Sequence, residues 1–161
     1  MPCLPVPRYA KRMTHRILFV CLGNICRSPT AEGVFRAMAK AEGLRVEVDS
    51  CGTGGWHAGE PPNPPAVVAA RKRGYDLSAL RARQIEVADF TRFDRILVMD
   101  RANLRDVRAL CPAGGTEPEL FLTHAPHHGD EVPDPWYTGE YDRTLCMIED
   151  AARGLVAALK G

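Results

Sequence analysis

Apolar residues along the chain form short runs and spaced stripes, which predict alternating strands and helices. The four apolar residues at 17–20 predict a strand that is buried on both faces, as strands of a parallel sheet are. After it, apolar residues recur with the spacing i, i+3, i+4, i+7 and i+8, which predicts an amphipathic helix. That helix is expected to end near Gly43, and its stripe is Ala31, Val34, Phe35, Met38 and Ala39.

The rest of the chain repeats this alternation. Residues 45–51, 95–99 and 119–122 are predicted strands, and helices are predicted over about 65–74, over 101–110 and along a C-terminal stripe from 148 to 159. Strands that alternate with helices indicate an α/β fold, here a three-layer, Rossmann-like domain with a small parallel sheet of about four strands. Such sheets bind ligands at the carboxyl ends of their strands. We therefore expect a binding loop after the first strand.

Composition is that of one compact domain. The chain has 161 residues, 45% hydrophobic and 25% charged, and we predict a single domain over 14–161 preceded by a flexible extension over 1–13. Met1 and Met13 are both candidates for the translation start, and the sequence does not choose between them. The net charge of +1 gives no support for nucleic-acid or membrane binding, and no apolar run approaches the roughly 18–20 residues of a membrane span. The six cysteines fit no secreted disulfide framework, which favours free thiols and a cytoplasmic location.

The loop after the first strand has the composition of an anion site. Gly23 and Asn24 tolerate unusual backbone dihedrals. Ser28 followed by Pro29 predicts a helix N-cap and the first helical position. The loop at 21–27 would then wrap a helix N-terminus, where unpaired backbone N–H groups form a cradle for a phosphate.

Cys21 and Arg27 add a nucleophile and a clamp to this cradle. A thiol that faces a helix N-terminus and a guanidinium has its pKa lowered from about 8.5, so that it is a thiolate at neutral pH. The planar fork of Arg27 is suited to hold two oxygens of a tetrahedral oxyanion. A single cysteine at a strand end is more often a small buried hydrophobe. Dinucleotide-binding, Walker and Cys-x2-Cys patterns are absent here, so the combination favours phosphoryl transfer to sulfur.

A proton donor for the leaving group is predicted late in the chain. Asp134 lies between Pro133 and Pro135, with Trp136 and Tyr137 directly after them. An Asp-Pro pair alone is most often an ordinary turn. Aromatic neighbours are suited to wall a pocket, so we predict that Asp134 is the general acid.

These motifs together resemble those of the low-molecular-weight protein tyrosine phosphatases. The residues that carry the resemblance are CLGNICRS followed by PTAE, and DPWY, with further similarity in GTGGW, LRARQ, VMDRANLRDV and LCP, so it covers roughly residues 14–160. The resemblance implies hydrolysis of phosphotyrosine and of aryl phosphates in two steps through a cysteinyl-phosphate intermediate. It implies no metal and no other cofactor.

The resemblance also implies a role for each residue of the site. Cys21 attacks phosphorus, Arg27 and the loop amides bind the phosphoryl oxygens, and Asp134 acts first as acid and then as base. Ser28 hydrogen-bonds the sulfur and helps it to leave. The implied substrate-binding residues are Leu22, Gly23, Asn24, Ile25, Cys26, Trp56, Trp136 and Tyr137, with Asn24 holding the shape of the loop together with Ser50.

Three aromatic residues are expected to set the substrate class. Trp56, in a Gly/Pro-rich loop, and the pair Trp136 and Tyr137 would flank a slot for a phenyl phosphate, whereas phosphoserine is too short to reach from the rim to the sulfur. Two positions depart from patterns common in the family: Trp136 replaces a tyrosine of DPYY, and Leu80 replaces a histidine of many eukaryotic members. Neither departure removes the chemistry.

The implied partners are phosphotyrosine proteins, with a tyrosine kinase as one candidate, and inorganic phosphate as product and competitive ligand. Neither nucleic acid nor a membrane is expected as a partner, and the protein is expected to be mostly a monomer. In the family, the pair that corresponds to Cys21 and Cys26 forms a reversible disulfide, which implies that peroxide inactivates the protein and that thiols restore it.

Three alternative interpretations are weaker. An arsenate reductase needs two further cysteines in the middle of the chain, and only Cys111 lies between Cys51 and Cys146. An inactive phosphotyrosine-binding module is disfavoured by the intact catalytic residues. The histidine-rich stretch HAPHHGDE at 124–131 suggests metal binding, but nothing else in the sequence completes a site, so a solvated loop is favoured.

Overall fold

The computed structural model describes residues 13–161, so the predicted extension, apart from Met13, lies outside the described residues. Its strands are β1 (His15–Cys21), β2 (Val46–Gly52), β3 (Arg95–Val98) and β4 (Pro118–Leu120). Its helices are α1 (Arg27–Ala41), α2 (Pro64–Lys72), α3 (Asp89–Arg92), α4 (Arg101–Leu110), α5 (Pro135–Thr138) and α6 (Tyr141–Lys160), with 3₁₀ turns at Phe121–His124 and Pro126–His128. Within the described part of the chain, no helix is both long and apolar enough to cross a membrane.

The strands form one parallel sheet in the order β2-β1-β3-β4. β1 pairs with β2 along its whole length, from His15 opposite Val46 to Cys21 opposite Gly52, and it pairs with β3 on its other side. The predicted α/β class with four parallel strands is confirmed. Because β1 is central and the chain proceeds to both sides of it, its carboxyl end is the switch point at which such sheets bind ligands.

Side chains of β1 alternate between two apolar cores, one on each face of the sheet. Ile17 and Phe19 belong to the core beneath α1 and α6, whereas Leu18 and Val20 belong to the core on the opposite face. All four are fully buried. Apolar layers on both faces fix β1 in place, and so they fix the position at which the loop after it begins.

The fourth strand is shorter than predicted. The sequence predicts a strand over 119–122, but β4 ends at Leu120, and Phe121 begins a 3₁₀ turn. Phe121 and Leu122 are fully buried, and the Phe121 ring packs edge-on against Phe19 at a centroid distance of 5.0 Å. Phe121 and Leu122 are apolar because the turn packs into the core. The spacing of apolar residues alone does not distinguish such a buried turn from a buried strand.

Candidate active site

The loop between β1 and α1 surrounds the sulfur of Cys21. The backbone N–H of Asn24 donates to Cys21 Sγ at 3.3 Å, and the hydroxyl oxygen of Ser28 lies 3.0 Å from the sulfur. Cys21 is only 3% exposed, so its sulfur lies at the base of the loop. Backbone N–H groups of the loop and of the first turn of α1 give this position a positive potential. The loop therefore holds the sulfur in one position, with a backbone donor directed at it.

Asn24 holds the loop in shape through every polar group of its side chain. Its φ of 58° lies in the left-handed region, which asparagine tolerates better than most residues. Its Nδ2 donates to Ser28 Oγ at 2.8 Å and to Ser50 Oγ at 3.0 Å. Its Oδ1 accepts from the backbone N–H of Arg83 at 3.0 Å. The contact with Ser50 that the resemblance implies is therefore present.

The expectation that Ser28 caps α1 is wrong. The helix begins at Arg27, its N-cap residue is Cys26, and no side chain caps it. The Ser28 hydroxyl instead contacts the Cys21 sulfur and accepts from the Asn24 amide, because both lie on the inner side of the loop. The sequence identified a polar residue at the helix start. It did not show whether its hydroxyl contacts the N–H groups of the helix or the sulfur of Cys21.

Arg27 is buried and anchored behind the loop. Its Nη1 donates to Asp100 Oδ2 at 2.6 Å and to the Val132 carbonyl at 3.0 Å, and its side chain is 3% exposed. Burial disfavours the charge of Arg27, but the Cys21 sulfur and Asp100 outweigh burial and raise its pKa above the ordinary value. The guanidinium is therefore permanently charged and held in one orientation.

Asp100 is a site residue that the sequence analysis missed. It follows β3 at the carboxyl edge of the sheet, and it caps α4 by accepting from the Asn103 N–H at 2.8 Å. A helix-capping aspartate is common, so its sequence context indicates only a cap. Its position directly after a buried strand could have indicated a site residue, because the carboxyl ends of parallel strands lie at one edge of the sheet.

Asp134 belongs to a second segment of the chain, directly before α5. Its Oδ1 accepts from the Trp136 N–H at 3.0 Å, because Asp134 is the N-cap of α5. Its Oδ2 lies 3.6 Å from Arg27 Nη2. Oδ1 thus holds the side chain in place, and Oδ2 lies beside the Arg27 guanidinium, which is suited to bind a phosphate.

Cys21, Arg27 and Asp134 line one cleft, which has a volume of about 210 Å³. The structure brings ten of the twelve sequence-predicted residues to its wall, and the other two, Asn24 and Ser28, support the loop from beneath. The lining residues are Cys21, Leu22, Gly23, Ile25, Cys26, Arg27, Trp56, His57, Asp134, Trp136 and Tyr137. His57 is the one lining residue that the sequence analysis missed, and its Nδ1 is paired with Glu60.

The rim of the cleft is aromatic and exposed. Trp56 is 66% exposed, Trp136 58% and Tyr137 79%, so none of the three is a core residue. A Cβ added at Gly54 would overlap the ring of Trp56, which means that this ring lies directly over the glycine. Exposed aromatic side chains around a polar cleft are typical of a binding rim.

Cys26 is the second thiol of the loop, and its environment differs from that of Cys21. Burial raises the pKa of the Cys26 thiol to about 11, and its sulfur lies 4.0 Å from the Tyr141 hydroxyl, which accepts from Asn63. Cys26 is therefore a neutral thiol near pH 7. It does not compete with Cys21 as a nucleophile.

Comparisons with known proteins agree with this geometry. Residues 16–161 match the family model described as low molecular weight phosphotyrosine protein phosphatase. A low molecular weight protein-tyrosine-phosphatase of Streptomyces coelicolor is 43% identical over 157 residues, which are 92% of this chain and 95% of that protein. The crystal structure of YfkJ from Bacillus subtilis has a TM-score of 0.87 at 35% identity and covers 92% of this chain and 96% of its own. A protein tyrosine phosphatase from Entamoeba histolytica, solved with Hepes in the active site, has a TM-score of 0.86 at 32% identity and covers 91% and 97%.

Proposed function

Because the chain belongs to the low molecular weight phosphotyrosine protein phosphatases, we propose that it hydrolyses phosphotyrosine through a phosphoryl group carried by Cys21. The family makes it a hydrolase that acts on phosphotyrosine in proteins. The cysteinyl-phosphate intermediate and the roles of the individual residues are part of what we propose. The observation that supports it most is the Cys21 sulfur, which accepts from the Asn24 N–H at 3.3 Å with the Arg27 guanidinium on the same cleft.

In the first step the Cys21 thiolate attacks phosphorus. The S–P bond forms while the bond between phosphorus and the phenolic oxygen breaks, and Asp134 gives its proton to that oxygen. Loop N–H groups and Arg27 bind the three equatorial oxygens, whose charge is largest in the transition state. The products of this step are a free tyrosine and a phosphocysteine.

In the second step water attacks the phosphocysteine. The Asp134 carboxylate accepts a proton from that water, the S–P bond breaks, and inorganic phosphate is released. Sulfur leaves as a thiolate, which the Ser28 hydroxyl at 3.0 Å and the Asn24 N–H stabilise. The same contacts that favour the attacking thiolate therefore make it a good leaving group.

Replacement of Asp134 by asparagine should affect poor leaving groups most. We expect Asp134→Asn to lower kcat/KM for phenyl phosphate by about 10²–10⁴-fold, since phenoxide needs the proton. With p-nitrophenyl phosphate, whose leaving group is stable as an anion, the loss of kcat/KM should be much smaller. Steady-state rates with both substrates measure the difference.

Asp130→Asn is the matched control, because Asp130 lies on the same loop but pairs with the exposed Arg101. Its kcat/KM should equal that of the wild type for both substrates. Equal losses for the two substrates in Asp134→Asn would show that this residue is not the acid.

The position of Trp56 over Gly54 predicts a change in substrate binding. Gly54→Ala should displace the indole from the rim and raise KM for aryl phosphates up to about tenfold, with kcat nearly unchanged, because contacts to the phenyl ring are lost. Trp56→Ala should have the same effect. The control is the inhibition constant of inorganic phosphate, which should not change because phosphate binds only to the loop. A higher inhibition constant would show that the substitution had disturbed the loop.

We also propose that Cys26 protects the nucleophile from irreversible oxidation. Peroxide converts the Cys21 thiolate to a sulfenic acid, and the Cys26 thiol then displaces water from it to form a disulfide. Wild-type activity should be lost with peroxide and restored by dithiothreitol, whereas Cys26→Ala should stay inactive. Cys111→Ala, a substitution outside the cleft, should recover like the wild type, and equal recovery of Cys26→Ala would refute the proposal.

The substrates are phosphotyrosine proteins, and we propose a tyrosine kinase among them, a mostly monomeric state and a cytoplasmic location. The five described cysteines are free thiols, which supports the location. Inorganic phosphate is the expected product and competitive ligand. Substrate trapping in lysate with Cys21→Ser tests the partners. We expect the variant to retain tyrosine-phosphorylated kinases. If none is found among the retained phosphoproteins, a tyrosine kinase is excluded as a substrate.

A further inference from the structure

The structure brings three potential metal ligands together outside the cleft. The turn Pro126–His128 packs beside α6, and there His128 Nε2 lies 2.6 Å from Asp150 Oδ2 and His127 Nε2 lies 3.4 Å from the same oxygen. One ligand atom from each residue lies within 4.8 Å of the other two. Imidazole nitrogens and a carboxylate oxygen are donors that suit Zn²⁺.

Asp150 is the ligand that the sequence could not supply. The histidine-rich stretch contains two adjacent candidates, but Asp150 is 22 residues away from His128 on a different element. Only the packing of the turn against α6 brings it close. The interpretation of this stretch as a solvated loop therefore lacked the third residue.

A second partner orients the carboxylate of Asp150. Arg153 Nη2 donates to Oδ1 at 2.6 Å, which leaves Oδ2 directed at the two imidazoles. A second group that holds the non-ligating oxygen is the usual support of a carboxylate ligand.

Exposure of the three residues suits a site that is open on one side. The side chains of His128 and Asp150 are 24% and 25% exposed, and that of His127 is 66% exposed. Two ligands are thus held by packing, and the third is free to adjust its position around an ion. Solvent on the exposed side is available to complete the coordination.

We propose that His127, His128 and Asp150 bind one Zn²⁺ ion, with water as the remaining ligand. The ion takes the place of the direct contact between His128 Nε2 and Asp150 Oδ2, and both imidazoles bind it through Nε2. It joins the turn to α6, shortly before Val132, whose carbonyl accepts from Arg27. Its role is structural, and the phosphatase reaction does not require it.

Calorimetric titration of the full chain with ZnCl₂ tests the site. The Cys21→Ser protein is used as the parent, so that the catalytic thiolate does not bind the metal. One equivalent of Zn²⁺ should bind, and Tm should rise by about 5–10 °C at a free concentration roughly 100-fold above Kd. Co²⁺ in place of Zn²⁺ should give ligand-field bands without the charge-transfer band of a thiolate.

Single substitutions in the parent separate this site from other binding. His127→Gln and His128→Gln should each weaken Zn²⁺ binding more than tenfold, as should Asp150→Asn, whereas His124→Gln, in the same stretch but paired with Glu119, should bind like the parent. Asp150→Asn also loses its pair with Arg153, so the two histidine variants decide the result. Absence of saturable binding, or parental affinity in either histidine variant, would overturn the proposal.

Discussion

A Cys21→Ser protein is expected to hydrolyse p-nitrophenyl phosphate at least ~10⁴-fold more slowly than the wild type. Serine fits the space of Cys21 and keeps contacts with the Asn24 N–H and the Ser28 hydroxyl, so the loop should keep its shape. A serine hydroxyl does not ionise near neutral pH. Among the described residues, the hydrogen-bond partners of this position are the Asn24 N–H and the Ser28 hydroxyl, and neither is a base that could activate it. The measurement is kcat from initial rates.

Binding of inorganic phosphate shows whether the substitution removed chemistry alone. Calorimetry should give a Kd for phosphate in Cys21→Ser within a few-fold of the wild type, because loop amides and Arg27 supply that binding. Cys146→Ser on α6 is the matched thiol control and should keep full activity. Residual kcat within tenfold of the wild type would mean that the phosphoryl group does not pass through Cys21.

Arg27→Lys is expected to lower kcat/KM by about 10³-fold or more, although the positive charge is kept. The guanidinium presents a planar fork that Asp100 and the Val132 carbonyl orient from behind. An ammonium lacks that fork and cannot hold Asp100 and two phosphoryl oxygens in one fixed geometry. The loss should be larger in the transition state than in phosphate binding, because charge on the equatorial oxygens increases there.

Arg92→Lys is the control for this exchange. Arg92 pairs with Glu47 near the start of β2, at the opposite end of the sheet from the loop, and it should tolerate lysine without loss of activity. Thermal unfolding of Arg27→Lys shows whether the loop itself is damaged. A kcat/KM within tenfold of the wild type, in a protein of normal Tm, would contradict the role given to Arg27.

The elements that were predictable from the sequence are those with strong periodicity. The strand at 17–20 and the helix that follows it are present because both faces of β1 meet apolar layers, so the pattern reflects burial directly. The short helices α3 and α5 have too few residues for a periodic pattern. The end of β4 was placed wrongly because a buried turn and a buried strand have the same apolar composition.

The residues of the site also fall into two groups, those that could be predicted from the sequence and those that could not. Residues close together in sequence, from Cys21 to Ser28, were identified because one loop holds them, and their chemistry is visible in their types and spacing. Asp100 was missed because it joins Arg27 only through the pairing of β1 with β3. His57 was missed for a similar reason, since its loop reaches the cleft only in the folded chain.

The central claim is that sulfur carries the phosphoryl group, and rapid acid quench followed by peptide mass spectrometry tests it most directly. Asp134→Asn is mixed with p-nitrophenyl phosphate, a substrate that needs no acid in the first step, while loss of the base slows the second step. The account predicts one phosphoryl group per chain on Cys21, formed together with a burst of one equivalent of p-nitrophenol. A burst without phosphate on the protein, or phosphate on Cys26 or any other residue, would contradict it.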